Sequence, residues 1–590
     1  MSNSNKNWDL TNLYTSFESN EFQNDLNSIK PLIMEFEKSL DEYIKNNEQS
    51  ESEKIIKLYL DFASNFDNLL IKAYSYAELK TTTNTNDSVA LKYVDIIESY
   101  MSEKVKPIVK FQKYLATVKD LDKLLQSNDY FKEHSFHIKE LFNEGRYLLS
   151  DEEEVLYAKL KQTGSTAFAI LQNKATSNLM INIEEKRLPL SSVRNLAYDK
   201  DINIRKNAYL AELKSYKEIE EISAMALNSI KGEVITMSKK RGYKSPLDMS
   251  LKGARVDEET LNTMLKAMEE AIPKFVEYFR KKGELFGDKN GLKFYNLFAP
   301  VGDSNIEFTY KEAEEFILKQ FYGFSERLGN YAKKAFDNNW IDPFPKEGKL
   351  GGAFCAGLHT IKESRILSNF EGSFSDMDTL AHELGHGYHG EVLTGVSVLN
   401  SDYPMPLAET ASIFCETIVF NAALKDANKD DKIAILESSI MQSSQVIVDI
   451  YSRFLFESEF FKKRENGALS VDEIKELMTN AQKQAYKDGL DSEYLHPYMW
   501  ACKPHYYSVD YNFYNYPYAF GLLFAKGLYA QYEQNKGDFL GKYDELLKRT
   551  GNNSVYDAVK FVGIDLHDIE FWRASLKIVT SEIDEFLELV

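Results

Sequence analysis

The chain has 590 residues, 43% of them hydrophobic and 27% charged, and a formal net charge of −20. That length allows two or more packing units around a sizeable core, and the balance is ordinary for a soluble globular protein. The negative charge disfavours nucleic acid and anionic membrane surfaces as partners.

In chain order, the N-terminal MSNSNKNWDL lacks the apolar stretch a secretory signal needs. A helical pattern follows almost throughout. Ser52–Ser64, Asp257–Phe279 and Val471–Lys487 repeat apolar residues at three- and four-residue spacing. Only 13 prolines occur, so long uninterrupted helices are allowed. The fold class is mainly α. The first 200 residues carry no chemical motif, and a boundary near residue 200 is expected: 1–200 as an N-terminal helical domain, 201–590 as the catalytic one. Residues 286–310 mix Gly, Pro and aromatics and read as loop with a short strand. Residues 340–375 read as turn, strand, turn, strand, with GGAFCAGLH and SRILSNF as the extended segments. The three cysteines, Cys355, Cys415 and Cys502, form no C-x-x-C pair, which argues against a disulfide framework and suits a reducing cytoplasm. The best membrane candidate, Tyr518 to Tyr529, is short and broken by Lys526, so no span is expected.

DTLAHELGHGYHG, residues 378–390, contains H-E-x-x-H as His382, Glu383 and His386. Positions i and i+4 share a helix face, so both imidazoles can reach one Zn²⁺ at about 2.0–2.1 Å. Glu383 is rotated away and can act as a base on water instead. Ser375, with Asp378 three residues later, resembles a capping box at the helix start. The plainer alternative is a surface helix with satisfied histidines. Gly385 weighs against it, because glycine inside a helix costs about 1 kcal/mol relative to alanine.

A third protein ligand is needed. The longer pattern with a histidine six residues after His386 fails at Val392. His389 shares the face but lies about 10 Å of helical rise above His382, which leaves it a supporting or packing role. The stretch PLAETASIFCETIVFNAAL, after Pro404, reads as a second helix with Glu409 in its first turn and Glu416 near the same face. Apolar neighbours surround both, and a carboxylate on a buried face needs a partner. Glu409 as ligand and Glu416 as the carboxylate orienting a histidine explain both; an ion pair or an exposed face is the alternative. Gly351, Gly352 and Ala353 leave backbone accessible, either as a strand edge for an extended peptide or as a plain tight turn.

KLGGAFC, RILSNF, DTLAHELGHGYH and LAETASIFCE occur in this order. Together they resemble the thimet-oligopeptidase-like zinc peptidases, specifically the oligoendopeptidase F branch, over residues 350–525. The resemblance implies a two-lobed, almost all-helical body around a deep substrate channel, with a small β-sheet near the zinc. It implies one Zn²⁺ per chain, held by His382, His386 and Glu409, with Ser412 and Glu416 following in E-x-x-S-x-x-x-E. Asp378, Glu416 and His389 are the expected supporting residues. It also implies that a histidine and several tyrosines of HYYSVDYNFYNYPYAFG bind substrate and transition state. His505, Tyr511, Tyr514 and Tyr518 are the choices, with Tyr507 and Tyr516 left open. One departure is Arg365, where relatives carry an aromatic.

The expected protein is a cytoplasmic zinc endopeptidase acting on short peptides, with Glu383 as general base. One rival is a helical binding protein with a structural zinc, although such sites are usually closed and cysteine-rich. A second is a carboxypeptidase, which needs a cation such as Arg365 or Lys503 for the substrate C-terminus.

Overall fold

Helix starts follow local capping chemistry. Ser150 with Glu153, Thr309 with Glu312 and Ser470 with Glu473 each form a reciprocal capping box. The computed structural model describes residues 6–46, 51–183, 185–302 and 306–590. Most of these are helical. The periodic stretches become helices Ser52–Thr83, Glu258–Leu285 and Val471–Tyr486, the second capped by Asp257. Two expectations need correction. The H-E-x-x-H helix begins at Phe374, capped by Ser373 with Asp376, not by Ser375 with Asp378. Gly372, at φ +113°, bends the chain into that start, and Asp376 also accepts from the backbone N–H of Glu371 and Gly372. Residues 286–310 contain no strand among the described residues. They make a 3₁₀ turn at Phe294–Asn296 and two isolated bridges, Leu292 to Leu490 and Glu307 to Ser373.

Strands are few. β1 (Met180–Ile183) and β2 (Lys186–Pro189) form an antiparallel hairpin. β3 (Ile341–Asp342), β4 (Phe354–Leu358) and β5 (Glu363–Leu367) form a sheet in the order β3-β5-β4. β4 pairs antiparallel to β5 with Cys355 opposite Ile366, so the two expected extended segments do pair. β4 is an edge strand, and the motif helix Phe374–Leu393 packs on both β4 and β5.

The chain forms two compact units, neither of them continuous in sequence. The first comprises Met1–Leu148, Ile306–Ala422 and Asn535–Gly563; the second Leu149–Asn305, Ala423–Gln534 and Ile564–Val590. They are not the consecutive domains 1–200 and 201–590. The first unit has a core of Tyr14, Phe22, Phe36, Phe62 and Phe111, which reaches Leu358 and Leu367 of the sheet. In the second, helix Ile569–Leu589 packs against Glu258–Leu285 and Tyr516–Gln534. The cysteines are unpaired. The stretch Met405–Asp426 is long and apolar enough for a membrane span by composition, but it carries Glu409 and Glu416, whose carboxylates both meet His382.

Candidate metal centre and active site

His382 and His386 sit one turn apart on the motif helix, their ring centroids 4.9 Å apart. Glu409 lies at a break between the turn Met405–Ala408 and the helix Thr410–Asp426, with φ −84° and ψ 4°, rather than within a first turn. From there Oε2 stands 3.2 Å from His382 Nε2 and 3.4 Å from His386 Nε2. The three donor atoms lie within 4.8 Å of one another. Zinc bonds of about 2.0–2.1 Å at tetrahedral angles set ligand atoms about 3.3–3.4 Å apart. Both carboxylate–imidazole separations fall at or just under that spacing, so these residues fit a zinc ion. Two imidazoles and a carboxylate, with no thiolate, are also the donor set of a catalytic rather than a structural site.

Supporting contacts orient the donors. His382 Nδ1 lies 3.2 Å from Glu416 Oε2; donating its N–H there leaves the Nε2 lone pair for a metal. Ser412 Oγ donates to Glu409 Oε2 at 2.7 Å. Burial disfavours charge on His382, but its hydrogen bonds to Glu409 and Glu416 outweigh that and push its pKa well above the usual range. Burial likewise opposes ionisation of Glu409, and the two imidazoles reverse it, holding the carboxyl far below its ordinary value.

Gly385 permits the assembly. A Cβ there would lie 2.6 Å from Ala411 O and 2.6 Å from Ser412 Cα. The missing side chain lets the motif helix touch the backbone of the helix that carries Glu409 and Ser412.

Glu383 is 6% exposed, and its Oε2 has no hydrogen-bond partner among the described residues. Burial raises its pKa, opposed by His382 and His386. It lines a cavity of about 650 Å³ with His382, His386 and Glu409. Phe354, Cys355, Gly357 and Leu358 of β4 line the same cavity, so an edge strand runs along its wall.

The other expected residues fall in several places. Asp378 is half-buried one turn before His382. His389 stays out of the cluster: it is fully buried, stacks on Tyr403 at 4.2 Å and shares a 2.8 Å hydrogen bond with Thr550 Oγ1. Burial lowers its pKa to about 3, so it is neutral packing. Gly351 and Gly352 form an exposed bend ahead of β4, with Ala353 half-buried, and Asn369 Nδ2 donates to Gly352 O at 2.7 Å. Arg365 is buried and donates to Asp9 O, Ser364 O and Glu363, so it is unavailable to hold a substrate carboxylate. Sequence reasoning missed several cavity residues, among them His359, Glu363, Asp402 and Tyr403. Their positions follow from chain reversal around β4 and β5 and before Pro404, and no local pattern marks them.

His505 and its tyrosines belong to the second unit. His505, Tyr511, Tyr514 and Tyr518 form one ring cluster, with His505 to Tyr514 at 5.3 Å and Tyr514 to both Tyr511 and Tyr518 at 5.8 Å. Tyr507 and Tyr516 are instead core residues, 4% and 1% exposed. The loop is held from beneath by the buried pair Lys231–Glu457 at 2.7 Å. Lys231 also donates to Asn512, and Glu457 accepts from the Phe513 N–H, Phe513 having φ +54°. Burial lowers the pKa of His505 to about 4, assisted by Arg453 and Lys503, so the imidazole is neutral near pH 7.

Residues 195–578 match the model of peptidase family M3, and residues 117–180 match that of the Oligopeptidase F N-terminal region. An oligoendopeptidase F homolog of Borreliella burgdorferi is 26% identical over 96% of this chain and 95% of its own. Oligopeptidase PepF of Bacillus subtilis is 23% identical over 88% of this chain and 78% of its own. Among solved structures, a putative peptidase from Chlamydophila abortus superposes with a TM-score of 0.85 at 20% identity, over 99% and 98% of the two chains. Oligoendopeptidase F from Enterococcus faecium gives 0.70 at 17%, over 96% and 99%.

Proposed function

The chain belongs to peptidase family M3 and is a metalloendopeptidase of its oligoendopeptidase F branch; on that premise we propose that it hydrolyses internal bonds of short oligopeptides with one zinc ion and Glu383 as general base. The observation that carries this reading is the convergence of His382, His386 and Glu409 beside the unpaired carboxylate of Glu383, in one cavity walled by an edge strand.

His382, His386 and Glu409 would hold the ion, with Glu416 and Ser412 fixing two of them. Zinc supplies Lewis acidity, which lowers the pKa of water and polarises a carbonyl. Glu383 accepts the proton of the attacking water. As the C–N bond breaks, Glu383 hands that proton to the leaving amine. Its dry surroundings raise its proton affinity, which suits both halves of the transfer. β4 offers backbone groups to an extended peptide. His505, as a neutral N–H donor, and one or more of Tyr511, Tyr514 and Tyr518 bind the developing oxyanion. This last role rests on the family resemblance and on the half-exposed ring cluster. Free cysteines support a cytoplasmic location.

The test is a peptide blocked at both ends. Internal cleavage that a chelator abolishes and zinc restores is expected. Failure to cut the blocked peptide while an unblocked one is trimmed from an end would refute the endopeptidase reading.

A further inference from the structure

The second unit contains a cavity that the peptidase chemistry does not use. It has a volume of about 160 Å³ and is lined by Arg194, Arg205, Lys503, Tyr198, Tyr295 and Phe298, with Glu212 as its one carboxylate. Three cations against one anion is unusual in a chain of net charge −20, and the bonding of each cation says more. Arg205 is fully committed: its Nε and Nη2 donate to Asn296 Oδ1, and its Nη1 to Asp199 O and Lys200 O. Arg194 donates Nη1 to Glu212 Oε1 and to Cys502 Sγ. Glu212 Oε1 also accepts from Tyr216 Oη and pairs with His496 Nε2, so this one oxygen serves three partners, none of them Lys503.

Lys503 differs. It is half-buried, and among the described residues its ammonium has no hydrogen-bond or ion-pair partner. Asp449, which acts on it electrostatically, is already held by two nitrogens of Arg453. Burial, Arg453 and Arg194 push the lysine's pKa down, and Cys502 and Asp449 oppose them only in part. A half-buried ammonium that bonds no carboxylate of its own chain can pair with an anion that enters from solvent.

We propose that this cavity binds a small carboxylate with a compact apolar or planar body, with Lys503 as its counter-ion. The aromatic wall accounts for the body: Tyr198 packs on Phe298 at 5.4 Å, and Tyr209 on Tyr295 at 5.7 Å. The volume accounts for its size, because a cavity of about 150 Å³ accommodates one benzene ring. A carboxylate on such a ring meets the ammonium by a charge-assisted hydrogen bond, while the ring takes the place of water against the tyrosines. The site goes beyond the peptidase reading and does not depend on it.

The probe is benzoate, titrated calorimetrically into the zinc-loaded full chain at fixed ionic strength. Benzamide and inorganic phosphate are the comparison ligands. Benzoate is expected to bind, and benzamide to bind at least 10-fold more weakly. Lys503→Gln should weaken benzoate roughly 10- to 100-fold, the range for loss of a hydrogen bond to a charged group. Ala197→Leu fills part of the same cavity without touching the charge and should weaken it as well. It also serves if Lys503→Gln does not fold, as judged by its melting curve. The proposal is overturned if benzoate fails to bind, if benzamide binds as tightly, or if phosphate binds and benzoate does not. It is equally overturned if benzoate binding survives a folded Lys503→Gln or Ala197→Leu unchanged, which would place the carboxylate elsewhere, including at the zinc.

Discussion

Replacing Gly385 by alanine separates intrinsic helix preference from the needs of the metal site. On preference alone, Gly→Ala inside a helix stabilises by about 1 kcal/mol. Here the new methyl would sit 2.6 Å from both Ala411 O and Ser412 Cα. Ordinary carbon contacts begin at about 3.5 Å, so the two helices must part by roughly 0.9 Å. The obstructing atoms are backbone and cannot rotate aside. Overpacking of this kind costs about 1–3 kcal/mol, which cancels or exceeds the helix gain. The sharper consequence falls on the ligands. His382 and His386 ride on one helix and Glu409 leads into the other, while zinc sites tolerate about ±0.2 Å in their bond lengths. A shift several times larger removes good coordination by Glu409. Zinc affinity should therefore fall by at least the roughly 10- to 100-fold seen when supporting groups are lost, with the melting temperature of the metal-free protein changed by only a few degrees. Competition against a chromogenic chelator, together with thermal melts of metal-free protein, measures both. Wild-type zinc affinity in the alanine variant would refute the close-approach argument.

Glu383→Gln should retain zinc but lower kcat on the order of 10²–10⁴-fold, the usual range for a general base; near-normal turnover of the zinc-loaded variant would remove Glu383 from that role. Glu409→Ala should empty the site on dialysis, whereas Glu416→Ala should weaken zinc by about 10–100-fold; the reverse order in metal content would invert the two assignments. Among Tyr511, Tyr514 and Tyr518, at least one Tyr→Phe change should lower kcat and kcat/KM together by roughly 10²–10³, and three neutral variants would reduce the segment to packing. His505 has a folded pKa of about 4, below the ordinary value of about 6.5, so the unfolded chain binds the extra proton between those values. Its stabilising contribution is complete above about pH 6.5 and is lost as pH falls towards 4. His505→Gln should therefore flatten the decline in melting temperature over that window, and superimposable pH profiles would contradict the depressed pKa.

The candidate metal cluster was legible in the sequence because its spacing is local. His382, Glu383 and His386 are set by one helical turn, and Glu409 and Glu416 by two more, so spacing alone pointed to the cluster that His382, His386 and Glu409 form. The misplacements have physical causes. Glu409 occupies a helix break, not a first turn, because Met405–Ala408 forms a separate short turn. The capping box shifted by two residues because Gly372 supplies a positive φ that brings Ser373 and Asp376 into position. Gly385 was recognisable as an anomaly from propensity alone, but its partners, Ala411 and Ser412, needed coordinates. His389 had the right angle and the wrong height, and Thr550, to which it is bonded, lies 161 residues away.

The units were illegible for a related reason. Periodicity reports which face of a segment is buried, not which distant segment covers it. The first unit is built from three stretches and the second from three others, so no single boundary near residue 200 separates them. The same limit applies to Lys503. In sequence it is one lysine among 71 cationic residues. Its interest lies in what is missing around it, since Glu212 and Asp449 bond Arg194 and Arg453 and neither bonds Lys503. A ligand site of this kind is defined by charges that the fold leaves unmatched, and those become countable only once every neighbouring pair has been assigned.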